Sequence, residues 1–232
     1  MADRPILFSA PMVRALLDGR KTQTRRAFKA RYGLGQPVDL KEHGMGAYSG
    51  LVNDPASWGY PFAEDGADMQ LSRWPELSGF QRGDRLWVKE TWAVASVFTD
   101  VVEVRYRASE GAGHTEYVEQ VPLGRATKYV PTWPSWKPSI FMQRWASRLT
   151  LIVTDVRIER LQACSEADAI AEGLEWVAPG MWVIDRTLPI IGDDPSRVYG
   201  ELWDHINGAG AWEANPWVVA VSFDVRRANI DG

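Results

Sequence analysis

One cysteine, Cys164, and three histidines, His43, His114 and His205, are all this 232-residue chain holds of the residues best suited to metal and redox work. A lone cysteine excludes an intramolecular disulfide and points to a reducing compartment. These four residues lie far apart and show no ligand spacing, and the His-x-Glu and Pro-Cys-x-x-Cys pattern of zinc deaminases is missing. No metal and no cofactor are therefore expected. Long apolar runs are missing too: none approaches the roughly 18–20 residues of a membrane span. The opening "MADRPILFSAP" lacks the apolar stretch of a secretory signal, so the expectation is a cytoplasmic protein with no membrane partner. Positive charge is short, at 26 Lys and Arg against 30 Asp and Glu, a net charge of −4. Strong non-specific grip on nucleic acid by the whole surface is thereby excluded, and any such contact must come from a local patch. "YGLGQP" and "NGAGAW" lack the spacing of phosphate-binding glycine loops and read as turns.

What is present describes a globular chain. With 45% hydrophobic and 24% charged residues it can bury a full core. Residues 5–8 (PILF) read as a short strand, followed by a helix with Met12, Val13, Leu16 and Leu17 on one face. Ser9 stands at its N-cap, Pro11 in its first turn and Gly19 at its end. Periodicity then vanishes from about 32 to 80. "GDRLWVKETWAVA" reads as one strand, and "VVEVRYRA" and "TEYVEQV" as a hairpin joined through "SEGAGH". "PTWPSWKPS" is a proline-stiffened connector. Residues 148–161 form a long, bent strand. Ser165 and Asp168 have capping-box spacing in "SEADAIAEGL", which Gly173 ends. Asp194 and Pro195 open a third helix with Val198, Leu202 and Ile206 as its stripe, and residues 216–227 form the closing strand. Several non-repeating strands with three short helices predict an α+β fold: a small mixed β-barrel decorated with helices, one domain over 1–232 with insertions around 32–80 and 176–195.

The densest chemistry lies in "LLDGRKTQTRRAFKAR", residues 16–31, where Lys and Arg crowd around two threonines with one acidic residue. A threonine hydroxyl is a poor nucleophile until a base takes its proton. Lysine serves only if its pKa falls from about 10.4 towards 7–8 through burial or neighbouring cations. Arg20, Arg25 and Arg26 could supply those cations. In an extended segment Lys21 and Thr24 point apart, so they meet only if the chain bends near Gly19. By itself Lys-x-x-Thr is an uninformative spacing, equally that of a solvated basic strand. Trp87 and Trp92 could stack a base but suit a core as well; Lys89 and Glu90 read as a solvated pair or a pocket wall. Arg144, Trp145, Ser147 and Arg148 in "FMQRWASR" could form the lip of a nucleoside site or a structural corner.

"GRKTQTRR" after a short helix, "GDRLWV" downstream and the late "WVVAVSF" strand resemble the ASCH domain family, which has a PUA-like β-barrel. Gly19, Lys21 and Arg26 match its Gly-x-Lys-x-x-Glu-x-Arg pattern, with Thr24 in place of the glutamate. That departure is similar to the small bacterial N(4)-acetylcytidine amidohydrolases. The resemblance covers the barrel core, about half the chain; the insertions look like those of longer forms common in phages and prophages. It implies a catalytic set of Lys21, Thr24 and, in the helix after the long strand, Glu172, although Glu166 shares that segment. The substrate-binding candidates are Arg26, which matches the family pattern, and, from their own sequence context, Trp87, Glu90, Trp145 and Arg148. The implied partner is a small acylated nucleoside or base, with RNA or a modified nucleic acid as a further one. A noncatalytic RNA- or DNA-binding module and a nuclease are the alternatives. Nothing in the sequence sets the oligomeric state. With Lys21 and Thr24 at an open cleft, replacing either by Ala should abolish turnover at a stability cost within about 1 kcal/mol.

Overall fold

The computed structural model describes residues 2–28, 79–110, 118–126, 135–185, 188 and 190–232. Its main sheet has five strands in the order β1-β3-β7-β11-β2. These are β1 (Asp3–Leu7), β2 (Gln23–Ala27), β3 (Arg85–Lys89), β7 (Thr150–Arg160) and β11 (Trp217–Arg226). β1 and β3 run parallel, and the other neighbours antiparallel. The fold is thus α+β, as the patterning predicts, but the described strands form an open sheet rather than a closed barrel. Its two edges approach each other: the Arg26 guanidinium on β2 donates to the Leu7 carbonyl of β1 at 2.7 Å.

Between β1 and β2 lies helix α1 (Ala10–Leu17). Val13, Ala15 and Leu16 are buried and face Leu86, Val88, Leu151 and Val153 in the main core. Each such fully buried Val or Leu side chain contributes roughly 1.5–3 kcal/mol of transfer free energy. Ser9 holds the N-cap position without a side-chain hydrogen bond, so α1 depends on this burial and on its Pro11 start. At its other end Gly19 takes φ +73°, a left-handed conformation that glycine adopts without a Cβ penalty. The turn lets the amides of both Arg20 and Lys21 donate to the Ala15 carbonyl, and sends the chain back along the helix into β2.

A second sheet packs β4 (Trp92–Val97), β5 (Val101–Tyr106) and β6 (Val118–Pro122) into an antiparallel meander. "GDRLWVKETWAVA" is therefore two strands, not one. The break falls at Glu90, whose carboxylate is buried against Arg148 and cannot belong to a regular ladder position between two sheets. The long strand is found at 150–160, with a register shift opposite Ser222 and Phe223 of β11. After it come α2 (Glu166–Ala171), a small sheet of β8 (Glu175–Ala178), β9 (Met181–Val183) and β10 (Ile191–Gly192), and α3 (Pro195–Asn207). The Ser165–Asp168 capping box forms in both directions, and the Asp194 carboxylate accepts from the Ser196 amide. The expected insertion at 176–195 is thus largely this three-stranded sheet. That at 32–80, except residues 79 and 80, lies outside the described residues, as do residues 111–114 of the expected hairpin turn and residues 131–134 of the proline-rich connector. Among the described residues no helix is long and apolar enough to cross a membrane.

Candidate active site

Lys21 and Glu172 are 151 residues apart in the chain, yet they form an isolated antiparallel bridge next to β2. The backbone holds it: the Thr22 amide donates to the Ala171 carbonyl at 2.9 Å. Gly173, at φ +108°, makes the approach possible, since a Cβ there would sit 2.9 Å from Ala15 Cβ and 3.1 Å from Lys21 Cβ. Lys21 Nζ donates to Glu172 Oε2 at 2.7 Å and to the Glu172 carbonyl at 2.8 Å. The lysine is only 1% exposed and the glutamate 4%. An open, solvated cleft is therefore not what surrounds Lys21, and the small stability cost expected for its truncation does not hold. Burial pushes the Lys21 ammonium below its ordinary value, opposed by the adjacent Glu172 carboxylate.

Behind Glu172 stands Arg25, whose side chain is fully buried. Its Nη1 lies 3.4 Å from Glu172 Oε1, and its Nη2 lies 2.6 Å from Glu159 and 3.3 Å from Asp168. Asp168 is also held by Arg157 at 2.7 Å and by Gln23 at 3.1 Å. The carboxylate of Glu172 is thus fixed from two sides, by Lys21 on one oxygen and Arg25 on the other. Glu166, the other glutamate of the segment, is exposed on the first turn of α2. The structure selects Glu172 as the partner of Lys21.

Thr24 lies on β2 opposite Val221 and is buried. With Lys21, Arg26, Glu172 and Tyr199 it lines a cleft of about 80 Å³, whose apolar wall comes from Phe8 and Trp203 among others. The guanidinium of Arg26 lies over the Phe8 ring at 5.1 Å and Lys21 Nζ at 5.7 Å. Lys21 makes no hydrogen bond to Thr24; both face the same small space, and the lysine is engaged by Glu172. Among the described residues Thr24 Oγ1 and the Tyr199 hydroxyl have no hydrogen-bond partner. Cys164, the alternative nucleophile nearby, is buried, and that burial pushes its thiol up to about 12. Among the described residues no three His, Cys, Asp or Glu side chains gather to hold a metal.

Of the five residues expected to bind substrate, only Arg26 lines this cleft. Arg148 pairs bidentately with Glu90, at 2.9 and 3.0 Å, donates to Ser109 at 3.0 Å and stacks on Tyr106 at 3.9 Å. It faces a different cavity of about 600 Å³, lined also by Asp18, Ser109, Glu119 and Arg227. Burial raises the Glu90 carboxyl above its ordinary value against the opposing pull of Arg148. Glu90 is a buried half of an ion pair rather than a solvated neighbour of Lys89. Trp145 is buried edge-on against Trp92, ring centres 5.6 Å apart, in the core of the second sheet. Trp87 is buried in β3, with Lys89 Nζ over its ring at 5.4 Å. Sequence reasoning missed Tyr199 and Arg25: the first reads as part of a helix, the second as one cation among several.

No family model, curated protein or solved structure matches the chain.

Proposed function

We propose that the protein is an amidohydrolase that cleaves the exocyclic amide of N(4)-acylated cytidine or cytosine compounds, on a fold related to the PUA-like ASCH domains. The observation that carries this reading is the convergence of Lys21, Thr24 and Glu172 on one buried cleft from two distant segments. Burial lowers the Lys21 pKa against the pull of Glu172, which is the direction a lysine base needs. Neutral Lys21 takes the Thr24 proton as Oγ1 bonds to the acyl carbon, and the carbonyl electrons move to oxygen. As the tetrahedral adduct collapses, the carbon–nitrogen bond breaks, and the Lys21 ammonium protonates the departing exocyclic nitrogen. Water then attacks the acyl-threonine, giving up a proton to Lys21, and as the ester bond breaks the Lys21 ammonium returns that proton to Thr24 Oγ1, releasing the carboxylic acid and restoring the free amine. Glu172 fixes the amine throughout and stabilises its charged form between steps. The chemistry asks nothing of a metal. Lys21 must turn from Glu172 towards Thr24, a change of the kind that substrate binding brings about in unliganded sites.

The cleft has room for about two to three water molecules, at roughly 30 Å³ each. It fits the acyl head of a substrate, with the pyrimidine at the mouth, where Ile206 and Asn207 are exposed. Incubation with N(4)-acetylcytidine should release cytidine and acetate. Thr24→Ser should retain measurable rate, and Lys21→Arg, which keeps the charge but cannot accept the proton, should lose it. No turnover by the purified protein across several acyl cytidines would overturn the proposal. The alternative of a nucleic-acid module rested on the basic stretch. There Arg20 is paired with Asp18, Lys21 with Glu172 and Arg25 with three carboxylates, which engages three of its cations; Lys29 and Arg31 lie outside the described residues.

A further inference from the structure

Tyr199 is a buried residue on the wall of the cleft, and it carries a strong hydrogen-bonding group, its hydroxyl. The residue is 3% exposed, and among the described residues its hydroxyl has no partner. A hydroxyl at a cleft wall that is not tied to a neighbouring side chain or carbonyl is available to a ligand that enters. It lines the same cleft as Thr24 and Lys21. Two tryptophans pack against its ring: Trp203 lies 6.3 Å away and tilted, and Trp212 6.2 Å away and edge-on. The Trp212 ring sits so close to α3 that a Cβ on Gly200 would meet it at 3.0 Å. Glycine in a helix interior costs about 1 kcal/mol relative to alanine, and here it allows the ring that pins Tyr199 to seat. A phenol fixed in this way loses little freedom when it donates a hydrogen bond.

We infer that Tyr199 is a catalytic residue, its hydroxyl donating to the acyl carbonyl oxygen of the substrate and to the oxyanion that forms when Thr24 attacks. The inference rests on the amidohydrolase reading and supplies the oxyanion donor that reading requires. The chemistry of the side chain agrees with the geometry. Burial, reinforced by the Glu172 carboxylate, raises its ionisation well above the ordinary tyrosine value, so the group remains an O–H donor wherever the enzyme works. The other cations lining the cleft are occupied, Arg25 with Glu159, Asp168 and Glu172, and Arg26 with the Leu7 carbonyl and the Phe8 ring. In the balanced step, the phenol keeps its proton: it stabilises the negative oxygen by hydrogen bonding and loosens when the carbonyl reforms.

Tyr199→Phe tests this, because it removes one oxygen that has no hydrogen-bond partner among the described residues. The melting temperature should stay within about 3 °C of wild type while kcat on N(4)-acetylcytidine falls roughly 100- to 1,000-fold, with KM within a few-fold. A kcat within twofold of wild type would overturn the role of Tyr199 and leave the amidohydrolase reading standing. A second measurement is independent of turnover. In Thr24→Ala protein carrying ¹³Cζ-labelled tyrosine, N(4)-acetylcytidine should shift the Tyr199 resonance, assigned through its loss in Tyr199→Phe. A shifted resonance with no wild-type turnover would sustain Tyr199 as the carbonyl ligand and sink the hydrolase. An unmoved resonance at saturating ligand would refute the contact.

Discussion

Replacing Lys21 by Met retains the volume of the side-chain stem and removes only the ammonium group. In the folded protein that group makes two hydrogen bonds, to Glu172 Oε2 at 2.7 Å and to the Glu172 carbonyl at 2.8 Å, with almost no exposure to water. Breaking a buried pair by removing one partner costs about 3–5 kcal/mol, because the remaining charge stays desolvated. Arg25 still faces Glu172 Oε1 at 3.4 Å, which places the expectation in the lower half of that range. For a chain of this size each kcal/mol shifts the melting temperature by about 2–4 °C, so a loss of about 3–4 kcal/mol corresponds to roughly 6–16 °C. The assay is thermal melting by circular dichroism at neutral pH, with urea titration as a second reading. Lys21→Met combined with Glu172→Leu removes both charges together and leaves Arg25 with Glu159 and Asp168. The double variant should therefore melt above the Lys21→Met single, approaching wild type. A single variant that melts within 2 °C of wild type would refute the reasoning, since Lys21 would then have to be solvated or unpaired.

The pH dependence of turnover follows from the same burial. Rate should rise with pH as Lys21 deprotonates, along a limb centred below the ordinary lysine value of about 10.4. Because the folded pKa is the lower one, the unfolded chain binds more protons between the two values, so the Lys21 contribution to stability also rises with pH across that window. A rate that falls with pH throughout that window would contradict lysine as the base. Gly173→Ala should cost at least about 2 kcal/mol in urea melts, through a side chain at φ +108° and a Cβ 2.9 Å from Ala15 Cβ, and should depress turnover by displacing Lys21. Gly19→Ala meets nothing within 4 Å and should cost only the left-handed backbone penalty, about 1 kcal/mol; equal losses for the two would undo this contrast. A cleft of about 80 Å³ should favour short acyl groups, so kcat/KM for N(4)-benzoylcytidine should lie at least about tenfold below that for the acetyl compound; equal values would show that the cleft does not hold the acyl group.

Much of the local structure was legible because each element carries its own signal. The Ser165–Asp168 box, the Asp194–Pro195 start and the β-branched run of the long strand at 150–160 all depend on near neighbours, and all three elements form. What depends on distant partners was not legible. The break at Glu90 comes from Arg148, 58 residues on, and a strand pattern carries no trace of it. The short strands of residues 175–192 form through one another, since none is long enough to show a period. The site divides in the same way. Lys21 and Thr24 stood in a dense basic stretch whose spacing alone said little, and the resemblance gave them, together with Glu172, a catalytic role. A lysine among arginines nonetheless looks solvated until the chain folds over it. Trp145 and Arg148 looked like a pocket lip because aromatic and basic residues adjoin in sequence; the fold sends one into the core and the other to a second cavity.

The central claim is that Thr24 forms a covalent bond to the acyl group. Acid-quenched samples taken during turnover of N(4)-acetylcytidine, digested and read by mass spectrometry, measure it directly. One acetyl group should appear on the peptide bearing Thr24, with fragmentation placing it on that residue. It should be absent from Thr24→Ala and should accumulate in a variant slowed in the attack of water. Turnover that continues in Thr24→Ala, or an acetyl group carried by any other residue, would contradict the account.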